Sequence, residues 1–147
     1  MQLNQKNIEA LIPHSGTMSL LNQVLKWDEG HIRCLANSHR DKHNPLRNEN
    51  ILSSVCGVEY AAQAMAVHGA LTRQDPKEGP RSGKLASIKN LELLVSRLDD
   101  IESDLTIEAK LLMSDKEFFI YQFRIFSEGR KFLSGRCIIS IKGNSTN

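Results

Sequence analysis

The sequence predicts an α+β domain in which an antiparallel sheet wraps around one long helix. The first observation is Ile51–Thr72, a stretch with Ala, Val, Leu, Met or Gly on nearly every side of the helical wheel. Such a pattern is typical of a helix that is buried on all sides. The second observation is the region after it, where apolar and polar residues alternate as in strands with one buried face. One helix followed by an antiparallel meander is a recurrent two-layer plan.

The elements before the long helix are short. Asn7–Ile12 is expected to form a helix that Pro13 ends, because proline cannot continue the hydrogen-bonding pattern. Met18–Trp27 is expected to be extended. Turn residues at positions 28–30 then lead into a strand at His31–Asn37, in which apolar and polar residues alternate.

An irregular polar loop at residues 38–50, SHRDKHNPLRNEN, leads to the long helix, which we expect from about Ser53 to Leu71. The small residues of this helix would let strand backbones approach closely. A surface loop is predicted at Gln74–Gly83 from its two prolines and two glycines.

Three alternating runs follow, and each predicts a strand: Leu105 to Met113, Phe119 to Ile125 and Leu133 to Ile141. Hairpin turns are expected at Ser114–Lys116 and at Glu128–Gly129. The last residues, 143–147, are expected to be disordered. A single sheet around one helix leaves an edge strand unpaired, so we expect two protomers to pair edge to edge.

The amino-acid composition narrows the range of functional classes that this chain can belong to. A chain of 147 residues is expected to form a single domain, and its net charge of +2 comes from interspersed charges without a basic stripe, which argues against nucleic-acid binding. No apolar run reaches the length of a membrane span, and the N-terminus has no apolar signal core. The three cysteines, Cys34, Cys56 and Cys137, are odd in number, which favours reduced thiols in the core of a cytoplasmic protein.

Glu59 is the exception in the long helix. A carboxylate set among apolar residues costs several kcal/mol unless it is well partnered, so it is either satisfied or present for chemistry. Gln63 follows one turn later and is expected on the same face.

Several stretches resemble the hot-dog fold β-hydroxyacyl-acyl carrier protein dehydratases, most of all their divergent branch with an NPLR motif that is associated with aryl-polyene-type lipid clusters. The likeness covers roughly residues 7–142. It is carried by Ile12–His14, Asn44–Arg47, the helix start Gly57–Ala64 (GVEYAAQA), the strand Gly83–Leu93 and the last strand Gly135–Ile141.

The resemblance implies a hot-dog fold and a dyad of a histidine and the helix acid, usually from opposite subunits, with no metal or organic cofactor. Loss of water from a 3-hydroxyacyl thioester needs a base for the C2 proton and an acid for the leaving hydroxyl. An imidazole suits the first role and Glu59, by motif match, the second. Backbone N–H groups at Gly57 and Val58 would stabilise the developing enolate.

The histidine of the dyad is where this sequence departs from the family pattern. The family places it in a Gly-His-Phe-Pro-Gly loop that this chain does not have. His43 lies sixteen residues before Glu59, about where a remodelled loop would put the imidazole. Aligning Asn44–Leu46 with the family instead deletes the position. His43 is therefore the candidate base, and a site without its own histidine is the alternative.

The other polar candidates have simpler interpretations. His14 is expected to form structural hydrogen bonds, His68 to face the core or sheet and His31 to lie on a strand surface. His39 and His43 have the spacing H-x-x-x-H, but without a third ligand they do not indicate zinc. Arg47 is expected either to meet a carrier-protein phosphate or helix acid, or to be a solvated loop residue. Gln63 is counted with Arg47 among the substrate-binding residues.

Three functions remain open from the sequence. The first is dehydration of 3-hydroxyacyl thioesters, on acyl carrier protein or coenzyme A, to trans-2-enoyl thioesters. The second is a hot-dog acyl-thioesterase, in which the helix acid directs water at the thioester carbonyl. The third is a non-catalytic partner of another hot-dog subunit. In each, the acyl chain is expected in a tunnel between protomers of a homodimer, a higher oligomer or a heterodimer.

Overall fold

A computed structural model of the chain describes residues 2–12, 18–72 and 82–142. Pro13, His14, most of the loop predicted at Gln74–Gly83 and the tail predicted to be disordered at 143–147 lie outside the described residues.

The described residues form one antiparallel sheet and two α-helices. The sheet has seven strands in the order β1-β2-β3-β5-β6-β7-β4. Its strands are β1 (Leu3–Asn4), β2 (Gln23–Asp28), β3 (His31–Ala36), β4 (Ser82–Leu93), β5 (Leu105–Ser114), β6 (Phe118–Ser127) and β7 (Arg130–Lys142). The helices are α1 (Gln5–Leu11) and α2 (Gly57–Thr72), and 3₁₀ turns occupy Ser38–Arg40 and Ser54–Cys56.

Helix α2 packs against β3, β5 and β6, so the predicted α+β plan of a sheet around one long helix is confirmed. Residues 85 to 141, all of which the structure describes, contain no second α-helix. The core is made by apolar side chains of α2 and of the inner face of the sheet, among them Tyr60, Val67, Ile107, Phe123 and Leu133.

The expectation that α2 is buried on all sides is wrong for the single protomer. Val55, in the turn before the helix, and Ala66 are exposed, and Glu59 and Ala62 are half-buried. These four residues share one face, which we call the α2 stripe, because they recur at the helical spacing of three or four. Small apolar residues suit a core and a contact with another chain equally well, and the sequence pattern did not distinguish the two.

Two elements near the N-terminus differ from the prediction. Helix α1 begins at Gln5 instead of Asn7, because Asn4 and Asn7 form a reciprocal capping box with distances of 3.0 and 3.1 Å. Strand β2 begins only at Gln23, although Met18–Trp27 was expected to be extended throughout. Residues 18–20 are held by side-chain contacts with α2, described below, whereas Asn22 N–H still donates to Leu35 O of β3 at 2.9 Å.

The two predicted hairpin turns are confirmed. Asp115 N–H donates to Phe118 O at 2.9 Å in the β5–β6 turn. In the β6–β7 turn, Glu128 and Gly129 have φ angles of 50° and 80°. Two successive positive φ values match the right-handed twist of the flanking strands, and glycine adopts them without strain.

Strand β4 lies at the edge of the described sheet and runs for 12 residues. Its side chains are mostly exposed, and they include the large apolar residues Leu85, Leu91 and Leu93. A long, apolar edge strand with unpaired backbone groups is a surface that proteins normally cover.

Candidate active site

The start of α2 is fixed by the segment that follows β4. Ser54 N–H donates to Ser96 O at 3.1 Å, and Leu98 N–H donates to Leu52 O at 2.8 Å. Asp99 Oδ1 accepts the Leu52 N–H at 2.8 Å. Hydrogen bonding from the Arg97 guanidinium, aided by this Leu52 N–H, lowers the pKa of Asp99 to about 2. The carboxylate thus stays charged and holds the entry to the helix.

Gly57 lets the helix start approach the sheet. A Cβ at this position would stand 2.7 Å from Leu133 Cδ1 and 3.1 Å from Ile125 Cδ1. Its N–H, one of those expected to bind the enolate, donates to the carbonyls of Ser54 and Val55 in the preceding 3₁₀ turn. Val58 beside it is buried in the core. In the protomer, both residues therefore contribute chiefly to packing.

Glu59 lies in the first turn of α2 on the α2 stripe, half-exposed in a helix that is otherwise largely buried. A negative charge here interacts favourably with the positive end of the helix dipole. The side chain lies close enough to Cys56 to affect its thiol. Burial is the main cause that raises the pKa of Cys56, and the charge of Glu59 adds to it.

Gln63 is turned away from solvent, whereas Glu59 is half-exposed. The Gln63 Oε1 accepts the Leu20 N–H at 3.0 Å, and the Gln63 Nε2 donates to Met18 O at 2.8 Å. The amide thus takes the place of a strand partner for residues 18–20, which is the physical reason that β2 starts late. Both ends of the side chain are engaged within the protomer.

The loop before the helix is fastened to α2 through Asn44. Its Nδ2 donates to Ser38 O at 2.9 Å and to the Tyr60 hydroxyl at 3.0 Å, and its Oδ1 accepts the Leu46 N–H at 2.9 Å. The Ser38 hydroxyl lies 2.8 Å from that of Tyr60 and donates to Leu20 O at 2.7 Å. Asn44 and Tyr60 are buried.

His43 comes directly before Asn44 and is exposed. Its backbone N–H donates to Asp41 Oδ1 at 2.9 Å, while its side chain lies on the surface of the loop. A second loop contact, Cys56 Sγ to Leu46 O at 3.8 Å, brings the NPLR segment to the start of α2. His43 and Glu59 thus belong to neighbouring elements, and both reach the surface of the protomer.

His39 and Arg47 are built into the same loop. His39 is fully buried, and its Nε2 donates to Ile101 O at 2.9 Å. Burial is the main cause that lowers the pKa of His39. Arg47 donates to His39 O at 3.0 Å and to Asn50 O at 3.2 Å, so its guanidinium braces the loop and is not a freely solvated side chain. His39 Nδ1 and Arg47 Nε have no hydrogen-bond partner among the described residues.

His31 and His68 lie where the sequence placed them. His68 is buried between α2 and the sheet, with Nδ1 at 2.7 Å from the Tyr121 hydroxyl. His31 lies on β3, with Nε2 at 3.2 Å from Glu108 Oε2. Desolvation opposes ionisation of Glu108, but hydrogen bonds from Arg33, Arg124 and His31 outweigh it and lower its pKa to about 2.

Three other features of the described residues concern metal ligands, membrane spans and cysteines. Residues 2–12, 18–72 and 82–142 contain no group of three or more His, Cys, Asp or Glu side chains placed to hold a metal ion. None of the helices that the structure describes is long and apolar enough to cross a membrane. Cys34, Cys56 and Cys137 are free, and the first and last are buried.

Sequence reasoning missed the hydrogen-bonded group formed by Ser38, Asn44 and Tyr60. A tyrosine hydroxyl in an otherwise apolar helix is a signal that a partner exists, since buried hydroxyls need one. The partner could not be named, because it comes from an irregular loop sixteen residues earlier.

Solved structures similar to this one are hot-dog proteins. A chain of the ApeI:P dehydratase heterocomplex from Xenorhabdus doucetiae matches with a TM-score of 0.81 and 26% identity, over 93% of this chain and 91% of that one. Thioesterase HI1161 from Haemophilus influenzae matches with a TM-score of 0.67 and 15% identity, over 96% and 92%. A hypothetical thioesterase from Streptococcus pneumoniae, solved with coenzyme A, matches with a TM-score of 0.60 and 13% identity, over 95% and 97%.

The two thioesterases share only the fold at these identities, whereas the dehydratase subunit is the more similar in structure and sequence. A search of curated protein sequences found no match. The family model described as ApeP-like, ApeP dehydratase, matches residues 6–142, which is nearly the whole chain. The chain therefore belongs to the ApeP-like dehydratase family, as the NPLR segment and the helix motif had indicated.

Proposed function

We propose that this chain is a subunit of a dehydratase that converts 3-hydroxyacyl thioesters to trans-2-enoyl thioesters, with Glu59 as the acid. The observation that carries the proposal is the position of Glu59. It occupies the first turn of α2 on the half-exposed α2 stripe, while the rest of the helix is largely buried. A carboxyl group placed so is accessible to a substrate and still shielded by apolar neighbours.

The reaction needs two proton transfers. The base takes the C2 proton, the electron pair forms the C2–C3 double bond, and the C3–O bond breaks as the acid gives its proton to the leaving hydroxyl. Water is the only by-product, and no cofactor is consumed. Glu59 supplies the second proton in this proposal, and His43 is the base that this chain offers, since its imidazole is exposed beside the anchored Asn44.

A second hot-dog subunit completes the site in this proposal. Two surfaces support it: the α2 stripe, and the β4 edge with its exposed leucines. Main-chain pairing along such an edge joins two sheets into one. The similar dehydratase chain was solved as part of a heterocomplex, so we propose a non-identical hot-dog subunit as the partner. The acyl chain would then lie between the two subunits.

The other residues expected at the site have supporting roles. Gln63 fixes residues 18–20 against α2, and Arg47 braces the loop that carries His43. Gly57 and Val58 set the distance between the helix start and the sheet. We propose that these four shape the substrate channel, with acyl carrier protein as the thioester carrier and coenzyme A as the alternative.

The test is Glu59→Gln, measured with the chain in the form that co-purifies from its host. Loss of a positioned acid should lower turnover of 3-hydroxyacyl thioesters by about a hundredfold or more. Thermal unfolding should change little, because Gln is nearly isosteric with Glu. Glu117→Gln, an exposed acid in the β5–β6 turn, is the matched control and should keep full activity. Carrier-protein and coenzyme A thioesters should both be offered.

The outcomes are distinct. Full activity in Glu59→Gln would refute the assignment of the acid and leave the chain as a non-catalytic subunit. If Glu59→Gln is inactive, His43→Ala decides the base. A similar loss, with a double variant little worse than either single one, would make the pair one catalytic unit. Unchanged activity in His43→Ala would place the base on the partner.

A further inference from the structure

We propose that Tyr60 and Asn44 are positioning residues that hold the loop at residues 38–47 in register with Glu59, an inference that rests on the proposed function. Tyr60 follows Glu59 directly on α2, and Asn44 follows His43 directly in the loop. The hydrogen bond of 3.0 Å from Asn44 Nδ2 to the Tyr60 hydroxyl therefore joins the immediate neighbours of the two candidate catalytic residues.

The directions of the hydrogen bonds follow from the chemistry of each group. The Asn44 amide nitrogen can only donate, so the Tyr60 oxygen accepts from it. Leu20 O can only accept, so the Ser38 hydroxyl donates to it, and Ser38 Oγ is left to accept from the Tyr60 hydroxyl. Every group in this chain of bonds has a defined role, and only one arrangement satisfies them all.

The arrangement fixes the loop at both ends. Asn44 Nδ2 also bonds Ser38 O at 2.9 Å, and its Oδ1 accepts the Leu46 N–H at 2.9 Å. One side chain thus ties together the start of the loop, the NPLR turn and α2. His43 lies between the anchored residues Ser38 and Asn44, and its own side chain is exposed.

The burial of the pair makes it sensitive to substitution. Tyr60 is fully buried and Asn44 is 5% exposed, so the bond between them is largely shielded from solvent. Removing the Tyr60 hydroxyl leaves Asn44 Nδ2 with Ser38 O alone and leaves Ser38 Oγ without its donor. The loop should then shift relative to Glu59. A misplacement of about 1 Å can cost about a hundredfold in rate even when no reacting group is changed.

The experiment compares two Tyr→Phe variants of the same complex. Tyr60→Phe removes the hydroxyl that holds the loop. Tyr121→Phe removes a second buried hydroxyl, which bonds His68 near the other end of α2, and so is a control of equal chemistry. Both should lower the unfolding temperature by about 2–12 °C, because each removes one buried hydrogen-bonded hydroxyl. Only Tyr60→Phe should lower kcat, by about tenfold or more, with KM for the thioester changed less than twofold.

Asn44→Ala should lower kcat to a similar extent, and the Tyr60→Phe/Asn44→Ala double variant should be little worse than either single one, since both break the same link. Hydrogen exchange supplies a readout that needs no activity. Backbone amides of residues 41–48 should exchange faster in Tyr60→Phe and not in Tyr121→Phe.

Equal kcat values for the two Tyr→Phe variants would overturn the inference and leave Tyr60 as a packing residue. That failure is distinguishable from failure of the proposed function, which is decided by Glu59→Gln. If Glu59→Gln is inactive while Tyr60→Phe behaves as Tyr121→Phe does, the acid is correct and only the positioning role is lost.

Discussion

The buried pair His68–Tyr121 should govern how the protein responds to acid. His68 Nε2 donates to Asp28 O at 2.8 Å, so its Nδ1 carries no proton and accepts the Tyr121 hydroxyl at 2.7 Å. Both residues are buried, and their rings meet edge to face at 5.6 Å between centroids. Both nitrogens of the neutral imidazole are therefore satisfied, whereas a proton on Nδ1 would force the Tyr121 hydroxyl to turn and accept.

Tyr121→Phe tests the hydrogen bond. Phe keeps the ring contact and removes the donor, so a buried nitrogen loses its partner at a cost of about 1–3 kcal/mol. For a domain of this size each kcal/mol corresponds to about 2–4 °C. The midpoint of thermal unfolding, followed by circular dichroism at pH 7.5, should fall by about 2–12 °C. Combining Tyr121→Phe with His68→Leu should cost less than the sum of the single changes, because both partners are then apolar.

The pH dependence follows from the same contacts. Burial is the main cause that lowers the pKa of His68 below its ordinary value of 6.5, against the opposing effects of the Asp28 carbonyl and charge. The unfolded chain takes up a proton near pH 6.5 and the folded protein resists it, so stability is complete above that pH and falls as the pH drops below it. One such histidine contributes up to about 1.4 kcal/mol per pH unit.

His68→Leu should therefore flatten the decline of stability between pH 6.5 and 5. Asp99 and Glu108, whose pKa values are lowered to about 2, lose their contributions only at lower pH and do not obscure this interval. An unchanged slope in His68→Leu, or full stability of Tyr121→Phe at pH 7.5, would refute the reasoning. His39, which is buried and whose pKa is also lowered, should account for part of the slope that remains.

Two further predictions concern packing and assembly. Gly57→Ala should lower the free energy of unfolding by about 1–3 kcal/mol in denaturant titration, because the alanine Cβ would stand 2.8 Å from Leu133 Cδ2 in a filled core. An unchanged midpoint would mean that Leu133 can move aside. Leu93→Asp on β4 should shift the particle to a smaller mass in size-exclusion chromatography with light scattering, whereas Leu112→Asp, equally exposed on β5, should not. A normal mass for Leu93→Asp would exclude the β4 edge as the interface.

The sequence predicted the elements whose signal is local. Strands β5, β6 and β7 were found because their inner residues, such as Ile107, Phe123 and Cys137, recur with a period of two. Helix α2 was found because apolar residues occupy nearly every side of the helical wheel over Ile51–Thr72. The late start of β2 was not found, because Gln63 holds Leu20 from 43 residues away and no local pattern reports such a contact.

The candidate site likewise has parts that the sequence predicted and parts that it could not. Glu59 was identifiable because a charge in an apolar helix is costly enough to need a reason. The N–H of Gly57 could not be judged, since its engagement depends on a 3₁₀ turn that the sequence does not distinguish from the helix itself. The bond between Asn44 and Tyr60 was equally hidden, because it depends on how an irregular loop folds back.

In the proposed complex, the position of Glu59 on the α2 stripe makes catalysis depend on association with the partner subunit. The α2 stripe and the β4 edge are surfaces that the protomer leaves open, whereas the side-chain polar groups of Asn44 and Tyr60 are satisfied within it. Covering the stripe would exclude water from Glu59, and charge interactions strengthen as the surrounding dielectric constant falls. Loss of the partner would then weaken catalysis without changing any catalytic residue, so Leu93→Asp should lower turnover in proportion to the fraction of the chain that it dissociates.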